Sequence, residues 1–339
     1  MRARAGNPLL DISSNVPAEL LAKYGLKLNN AILAGPEHAE LYAELVRDFP
    51  VEYIAGGATQ NSIRVAQWMS GNQPGFAAYI GAVGDDEFAR QLRAAAEKDG
   101  VTPYYHVAAV PTGTCAVLVH DKERSLVANL SAAEKYAAEH FASPAVAAAL
   151  EGGRIFYSAG FFLTHSAGVM AAMGKAAAAA PGKVYCMNLS APFLCAFFKE
   201  QMHSVLPYCD FVFGNESEAA AYGEANGLPA GASVSDVALA IAALPKASGT
   251  RARVVVITQG SDATVVAQDG AVRSLPVDKV DPASIVDTNG AGDAFVGGFL
   301  AFLAKGASVD ECVRAGHFAA GHVITQSGCK FNAELTYKA

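Results

Sequence analysis

Residues 287–304, DTNGAGDAFVGGFLAFLA, place a glycine-rich turn directly before an apolar stretch of helical length. Glycines at a helix start let backbone N–H groups face a ligand closely, and the first-turn amides and the helix dipole favour a negative charge. We therefore predict an anion hole formed by the backbone amides of Gly290, Ala291, Gly292 and Asp293. Asp293 would lie within reach of a hydroxyl that attacks a phosphorus held there, as a general base requires. The alternative is that Asp293 only caps the helix.

Two other nucleotide-binding motifs do not fit the sequence. A Walker loop needs G-x-x-x-x-G-K-[ST], and the nearest segment, 168–175, has one residue too many and is followed by Ala176. A dinucleotide fingerprint needs a third glycine where Phe295 stands. These observations exclude a P-loop kinase and weaken the case for a nicotinamide-dependent oxidoreductase.

Along most of the chain, short apolar strands alternate with helical segments. This pattern predicts a doubly wound α/β fold, in which a mostly parallel sheet has helices on both faces. The predicted strands include 76–80, 155–157, 184–187, 211–213 and 254–257, and the predicted helices include 86–98, 166–180 and 296–304.

Three half-polar segments interrupt that alternation and indicate a small accessory sheet. They are 51–54, 116–119 and 125–130, with a hairpin turn at 120–123 between the last two. No linker separates two independent units, so we expect the small sheet to be inserted into the large domain. The predicted large domain comprises residues 1–9, 58–107 and 135–339, and the predicted lid comprises residues 10–57 and 108–134.

Composition limits the class of protein. Of the 339 residues, 52% are hydrophobic and 17% are charged, which predicts a compact domain rather than a disordered chain. The net charge of −7 provides no basic field for nucleic acid or an anionic membrane. The stretch 294–304 falls short of the roughly 20 residues that span a bilayer.

Cysteine spacing and the first residues bear on the compartment. The six cysteines contain no C-x-x-C pair, and Gly6-Asn7-Pro8 stands where a signal peptide would need an apolar run. We expect a monomeric protein that is located in the cytoplasm, with the nucleus as a further location. We also expect it to bind a small anionic ligand.

Three motifs resemble the signatures of the ribokinase-like carbohydrate and nucleoside kinases. They are the di-glycine segment 56–62, the N-x-x-E segment 215–218 and the turn 287–294, which occur in the family's order. Within the family, the similarity narrows to members that phosphorylate adenosine. It extends over nearly the whole chain and is carried by the segments 7–11, 59–62, 66–69, 111–115, 188–193 and 314–317.

This resemblance implies a nucleoside site. Asp11 and Asn7 would bind the ribose hydroxyls with help from Gly57 and Asn61. The residues implied around the purine are Leu9, Leu33, Cys115, Leu126, Ala128, Phe162 and Phe193. Several of these, the leucines and Ala128 above all, could equally be plain core. Ala31 and Ala58 stand where close relatives often carry Gln and Ser, which removes polar groups near the nucleoside.

The resemblance also implies an ATP site that uses Mg²⁺. The implied nucleotide contacts are Asn215, Thr258, Gly260, Asn289 and His317, although His317 could also be an ordinary helix histidine. Glu218 would hold Mg²⁺ through water, unless it and Asn215 only form a solvated helix start. Arg124 resembles a lid arginine that meets the transferring phosphate, and otherwise would be a surface turn residue.

Two other functions remain open from the residues. Another nucleoside or sugar kinase would keep Asp293 and the anion hole but would not need the aromatic pocket. A nucleoside-binding protein without catalytic activity would need a damaged base or anion hole, whereas Gly290, Gly292 and Asp293 are intact.

Overall fold

The computed structural model describes residues 4–28, 30–121, 123–247, 251–331 and 334–337. Its strands form two sheets, one of nine strands and one of five. The strands are β1 Arg4–Ala5, β2 Leu9–Asn15, β3 Asn30–Leu33, β4 Glu52–Gly56, β5 Ala78–Val83, β6 Thr102–Val107, β7 Thr114–His120, β8 Glu123–Asn129, β9 Ile155–Ala159, β10 Val184–Asn188, β11 Phe211–Asn215, β12 Val254–Gln259, β13 Asp262–Gln268 and β14 Ala271–Leu275.

Short capping motifs set where several helices begin. Asp86, Ser233 and Ser308 each accept a hydrogen bond from a first-turn N–H group, which satisfies a donor that the helix itself leaves free. The helices are α1 Ala18–Lys23, α2 Leu41–Asp48, α3 Ala58–Met69, α4 Glu87–Lys98, α5 Ala138–Phe141, α6 Pro144–Glu151, α7 Leu163–Ala178, α8 Pro192–Phe197, α9 Lys199–Val205, α10 Glu216–Ala225, α11 Val234–Ala242, α12 Ala291–Lys305 and α13 Val309–Val323. Among the described residues, none of these helices has the length and apolar character needed to cross a membrane.

The large sheet confirms the predicted doubly wound fold. Its order is β14-β13-β12-β11-β10-β9-β1-β5-β6, and the strands from β12 to β6 are parallel. One face is covered by α3, α4, α12 and α13, and the other by the helices from α6 to α11. Burial on both faces explains why the central strands are continuously apolar in sequence.

The small sheet has the order β3-β8-β7-β2-β4 and mixes parallel with antiparallel pairs. Helices α1 and α2 pack on one of its faces, where Leu20, Leu21, Leu41 and Leu45 are buried. The opposite face carries Leu9, Cys115 and Leu126 and looks towards the large sheet. A cavity therefore forms between the two sheets. The boundaries of the large domain and the lid stay a prediction from the sequence.

Candidate active site

A cavity of about 310 Å³ lies between the inner face of the small sheet and the carboxyl ends of the central strands of the large sheet. Ligands of open α/β sheets bind at this edge, and cavities of this size accommodate small molecules. The small sheet and the loops after β1 and β4 supply most of one side. The loops after β9, β10 and β11 and the start of α12 supply the other.

One row of paired residues across the small sheet explains why distant parts of the sequence meet in the cavity. Leu33 pairs with Ala128, Ala128 with Cys115, and Cys115 with Asp11. Paired residues of neighbouring strands point to the same face, as do residues two apart in one strand. Leu126 therefore lies beside Ala128, and Leu9 beside Asp11, and all six side chains line the cavity.

Asp11 is the acidic member of this row. Burial raises the pKa of its carboxyl from about 3.8 to about 7, against the opposing field of the Arg124 guanidinium, while Asp293 adds to the rise. A side chain at the neighbouring Gly56 would collide with the Asp11 carboxylate. The glycine therefore leaves room for a carboxylate that a hydroxyl-bearing ligand can reach.

Gly57 sets the start of α3 and the position of Asn61. Its φ of 94° lies in the region that favours glycine, and a Cβ atom there would collide with the carbonyl of Asn7. The chain thus turns sharply into α3, whose first turn carries Asn61. The side-chain amide of Asn61 donates to Asp293 Oδ2 over 3.1 Å.

The start of α12 leaves several backbone N–H groups without an acceptor in the described part of the chain. Gly290 has a φ of 78°, and its carbonyl accepts from the N–H of Ala294 over 2.8 Å. Ala291 donates to the Thr288 carbonyl over 3.3 Å, whereas the N–H groups of Gly290, Gly292 and Asp293 have no acceptor among the residues that the structure describes. Free amides at a helix start favour the binding of an anion.

Asp293 has the environment of a general base. Its carboxylate accepts from Asn61 on a different helix, and the N-cap of α12 is Gly290, so Asp293 is not the cap of its own helix. Burial raises its pKa from about 3.8 to about 7, while the hydrogen bond from Asn61 lowers it. A carboxyl group with a pKa near the working pH can both accept and release a proton.

Arg124 is buried and connects the small sheet to the loop before α12. Its Nε lies 2.5 Å from Asp287 Oδ1, and its Nη1 donates to Ser13 Oγ over 3.4 Å. Asp287 is buried too, and it also accepts from the N–H groups of Asn289 and Gly328. Arg124 is therefore not a surface turn residue. It belongs to β8, does not line the cavity, and pairs with Asp287 of the loop that leads into α12.

Asn215 and Glu218 form a reciprocal cap at the start of α10. The Asn215 side chain accepts from the Glu218 N–H over 2.8 Å, and Glu218 Oε2 accepts from the Asn215 N–H over 3.0 Å. Glu218 is nevertheless buried and lines the cavity, and burial raises its pKa to about 7. The segment is therefore not simply a solvated helix start.

The described residues contain no cluster of three acidic, histidine or cysteine side chains that could enclose a metal ion. One carboxylate in a polar part of the cavity still fits Mg²⁺, because this ion keeps several waters and takes few protein ligands. The carboxylate of Glu218 retains free lone pairs for such waters beyond its bonds to Asn215.

The structure brings most of the predicted site residues together around the cavity. Those that line it are Asn7, Leu9, Asp11, Leu33, Gly57, Ala58, Asn61, Cys115, Leu126, Ala128, Phe162, Asn215, Glu218, Thr258, Asn289, Gly290, Gly292 and Asp293. Those outside the cavity lining are Ala291, Arg124, Phe193, Gly260 and His317. His317 binds Thr264 Oγ1 over 2.8 Å, and Phe193 lies behind Phe161, with ring centroids 6.3 Å apart.

Several cavity residues were not predicted from the sequence. They are Ile32, Thr59, Leu130, Ala159, Phe161, Asn188, Ser190, Phe213, Gly214, Val256, Phe295 and Val296. Ser190 is unusual because its φ of 69° is rare for a residue other than glycine, and such backbone strain tends to occur at functional sites. Its hydroxyl accepts from the Gly160 N–H over 2.8 Å, which ties the loops after β9 and β10 together.

An anion-binding helix start, a carboxylate in its first turn and an apolar pocket under a second sheet together define a small-molecule kinase. Residues 18–335 match the family described as pfkB family carbohydrate kinase. The chain belongs to this family, and its similarity places it in the branch of the adenosine kinases.

Three relatives illustrate this similarity. The chain is 50% identical to adenosine kinase 1 of Arabidopsis thaliana over 327 residues, which cover 96% of this chain and 94% of that protein. The structure of Anopheles gambiae adenosine kinase in complex with P1,P4-di(adenosine-5) tetraphosphate superposes with a TM-score of 0.92 at 47% identity, covering 96% of both chains. The Schistosoma mansoni enzyme in complex with adenosine and AMP gives a TM-score of 0.91 at 34% identity, covering 97% of both chains.

Proposed function

We propose that this protein transfers the terminal phosphate of ATP to the 5′-hydroxyl of adenosine, giving AMP. The observation that carries this proposal is the position of Asp293. Asp293 accepts from Asn61, follows the free amide of Gly292, and faces the same cavity as the apolar row of the small sheet. One end of the cavity is thus suited to phosphate and the other to a flat apolar ring.

The nucleoside would be held at both ends. Asp11, Asn7 and Asn61 supply acceptors and donors for the ribose hydroxyls, and Gly57 allows its backbone to approach closely. The purine would pack among Leu126, Cys115, Phe162 and the other apolar residues of the row, and several kcal/mol of binding free energy can come from burying such a ring. We assign the aromatic wall to Phe161 and Phe162 rather than to Phe193, since the first two line the cavity.

The proton and the developing charge would be handled by α12. Asp293 would accept the proton of the attacking hydroxyl, because its raised pKa keeps it a competent base near neutral pH. The N–H groups of Gly292 and Asp293 would stabilise charge on the transferring phosphoryl oxygens. The small sheet would exclude water, which otherwise competes with the nucleoside as the acceptor.

The nucleotide would be bound on the large-domain side of the cavity. Asn289, Thr258 and Asn215 lie there, and Glu218 would hold Mg²⁺ through water. When bound, the ion would neutralise charge on the nucleotide phosphates. Arg124 would add a planar cation near the phosphates by exchanging its partner Asp287 for them.

A phosphorylation screen with Mg-ATP tests the choice of acceptor. Because free ribose lacks the ring that the apolar pocket would bury, adenosine should exceed ribose by at least about 10³-fold in kcat/KM, or roughly 4 kcal/mol. The nucleoside 5′-deoxyadenosine should bind competitively and remain unphosphorylated. Comparable use of ribose, or phosphate on 5′-deoxyadenosine, would contradict the assignment of the pocket. Adenosine binding with no transfer would instead favour a binding protein.

The same assay with Asp293→Asn tests the base. Turnover should fall by at least about 10²-fold with the adenosine Kd changed by no more than about threefold, since a general base acts mainly in the transition state. Asp236→Asn is a matched control, because Asp236 is also the third residue of its helix. Its carboxylate is exposed, and among the described residues it bonds only to its own cap, Ser233. Near-normal turnover by Asp293→Asn would remove this residue from the mechanism.

A further inference from the structure

His165 contacts one of the proposed ribose-binding residues from outside the cavity. Its Nε2 lies 2.9 Å from Oδ1 of Asn7. Asn7 is buried and lines the cavity, whereas His165 does not. The imidazole thus stands directly behind a side chain that would touch the nucleoside.

The partners around Asn7 fix the direction of every hydrogen bond. The Asn7 amide nitrogen donates to the Phe161 carbonyl over 3.3 Å, and this carbonyl can only accept. Asn7 Oδ1 therefore faces His165, and because it too can only accept, His165 Nε2 must carry the hydrogen. Nδ1 is then left as an acceptor for the Ser166 hydroxyl, which lies 2.9 Å away.

The local backbone holds the imidazole in this place. Ser166 is buried and has the non-helical angles φ −130° and ψ 30°, so the first turn of α7 departs from a regular helix at this residue. The ring of Phe162 packs edge-on against His165, with centroids 5.1 Å apart and an interplanar angle of 90°. The imidazole is thereby fixed by a hydrogen bond on each nitrogen and by an aromatic contact on its side.

The surroundings also keep the imidazole neutral. Burial lowers the pKa of His165 from about 6.5 to about 4, and of the charges nearby Glu134 raises it and Lys135 lowers it. A neutral ring has one donor and one acceptor, which is what Asn7 and Ser166 require.

We propose that His165 is a positioning residue for nucleoside recognition. Its hydrogen bond holds the Asn7 amide in one orientation, in which the second N–H of the Asn7 side chain and the remaining lone pair of Asn7 Oδ1 are available to the nucleoside. This inference rests on the proposed function, in which Asn7 contacts the ribose. The benefit arises because an amide already held in one orientation loses less freedom when the ligand binds.

Variants at position 165 separate positioning from simple packing. His165→Leu removes the donor and should weaken adenosine binding about five- to tenfold, as expected for one neutral hydrogen bond, with kcat within about twofold of the parent. His165→Gln can still donate to Asn7 and should restore the Kd to within about twofold. His140→Leu is the matched control, because His140 is a half-buried histidine that bonds to Tyr136 rather than to Asn7.

A double-mutant cycle tests whether the effect passes through Asn7. In an Asn7→Ala background, His165→Leu should change the adenosine Kd by less than about twofold, because the amide that it positions is gone. The same loss in both backgrounds, or equal loss for Leu and Gln, would overturn the inference. If the unsubstituted protein does not phosphorylate adenosine, the proposed function fails and this inference fails with it. Normal activity with unchanged binding in His165→Leu would overturn the inference alone.

Nitrogen NMR of the unsubstituted protein gives a test that does not depend on any variant folding. The His165 ring should show the neutral tautomer with hydrogen on Nε2 from pH 5.5 to 8. Hydrogen on Nδ1, or titration near pH 6.5, would contradict the hydrogen-bond directions.

Discussion

At the scale of the residue, Gly292 is a glycine that the packing of the protein does not require but that a bound ligand would. It lines the cavity in the first turn of α12, and a Cβ atom there would meet no atom of the described residues within 4 Å. Gly297, farther along the same helix, is different, since a Cβ atom there would lie 2.6 Å from the Ser62 carbonyl. Protein packing therefore requires a glycine at 297, whereas the open space beside Gly292 suits a bound phosphate.

Gly292→Ala should accordingly impair function without harming the fold. Alanine favours helix over glycine by about 1 kcal/mol, so Tm should stay constant or rise slightly. The added methyl group would occupy space next to the free amides, so kcat/KM for ATP should fall at least about tenfold. Thermal unfolding and steady-state kinetics measure the two effects, and Gly297→Ala should show a Tm lowered by several degrees. Normal use of ATP by Gly292→Ala would place the phosphate elsewhere.

The sequence could reveal those site residues whose neighbours in the chain also belong to the site. Asp293 and Gly290 share one turn, and their chemistry follows from their spacing. The choice between Phe161 and Phe193 depends instead on how the loop after β9 packs against α8, and only the structure shows that Phe161 stands in front. The pairing of Arg124 with Asp287 could not be predicted for the same reason, because it joins the small sheet to the loop before α12, far away in the sequence.

At the scale of the elements, most strands of the large sheet were predictable because burial on both faces makes them continuously apolar. The antiparallel hairpin of β13 and β14 was missed, although its turn residues Asp269 and Gly270 are a usual hairpin signal. The pairing row of the small sheet could not be predicted, since its register depends on contacts between β2, β3, β7 and β8 that no local pattern specifies.

The hairpin of β7 and β8 presents Arg124 to the loop before α12, and Arg124→Ala tests the use of this connection. Turnover should fall at least about tenfold while the adenosine Kd changes by less than about threefold, because the guanidinium would meet phosphate and not nucleoside. Stability should fall as well, since Asp287 would remain buried without its cation. Kinetics, calorimetry and thermal unfolding separate these effects.

Two variants control for that loss of stability. Arg124→Lys keeps the charge but not the planar fork, so it should recover Tm more fully than turnover. Arg273→Ala breaks an exposed ion pair with Asp310 and should change neither quantity appreciably. Equal losses in turnover and in adenosine binding for Arg124→Ala would mean that Arg124 only supports the hairpin.

At the scale of the whole molecule, the site lowers the stability of the ligand-free fold. Burial raises the pKa values of Asp11, Asp293 and Glu218 to about 7, so the folded state retains protons that the unfolded chain releases near pH 4. Stability contributed by these groups is therefore full at acidic pH, declines as pH rises from about 4 to about 7, and stays low above that range. The proposed function would use these carboxylates in the ionised form, which burial disfavours.

Asp293→Asn should consequently be more stable than the parent at pH 8, on the order of 2 kcal/mol, and this advantage should shrink towards pH 5. Differences between variant and parent are the quantity to measure, because buried histidines such as His165 titrate in the opposite sense. The control Asp236→Asn should show a difference that does not vary from pH 5.5 to 8, since hydrogen bonds from Ser233 lower the pKa of Asp236 below its ordinary value. A pH-independent difference for Asp293→Asn would contradict the raised pKa.

The row that unites Leu33, Ala128, Cys115 and Asp11 also bears on how the chain folds. Its parallel pairs join residues far apart in the sequence, 11 with 115 and 33 with 128. Such pairs form late, because closing a long loop costs conformational entropy before any stabilising contact between its ends has formed. The nucleoside pocket should therefore be among the last parts of the molecule to be completed during refolding, after the helices and neighbouring strands of the large sheet. A ligand that binds this pocket would then act chiefly on the unfolding rate and leave the rate of folding almost unchanged.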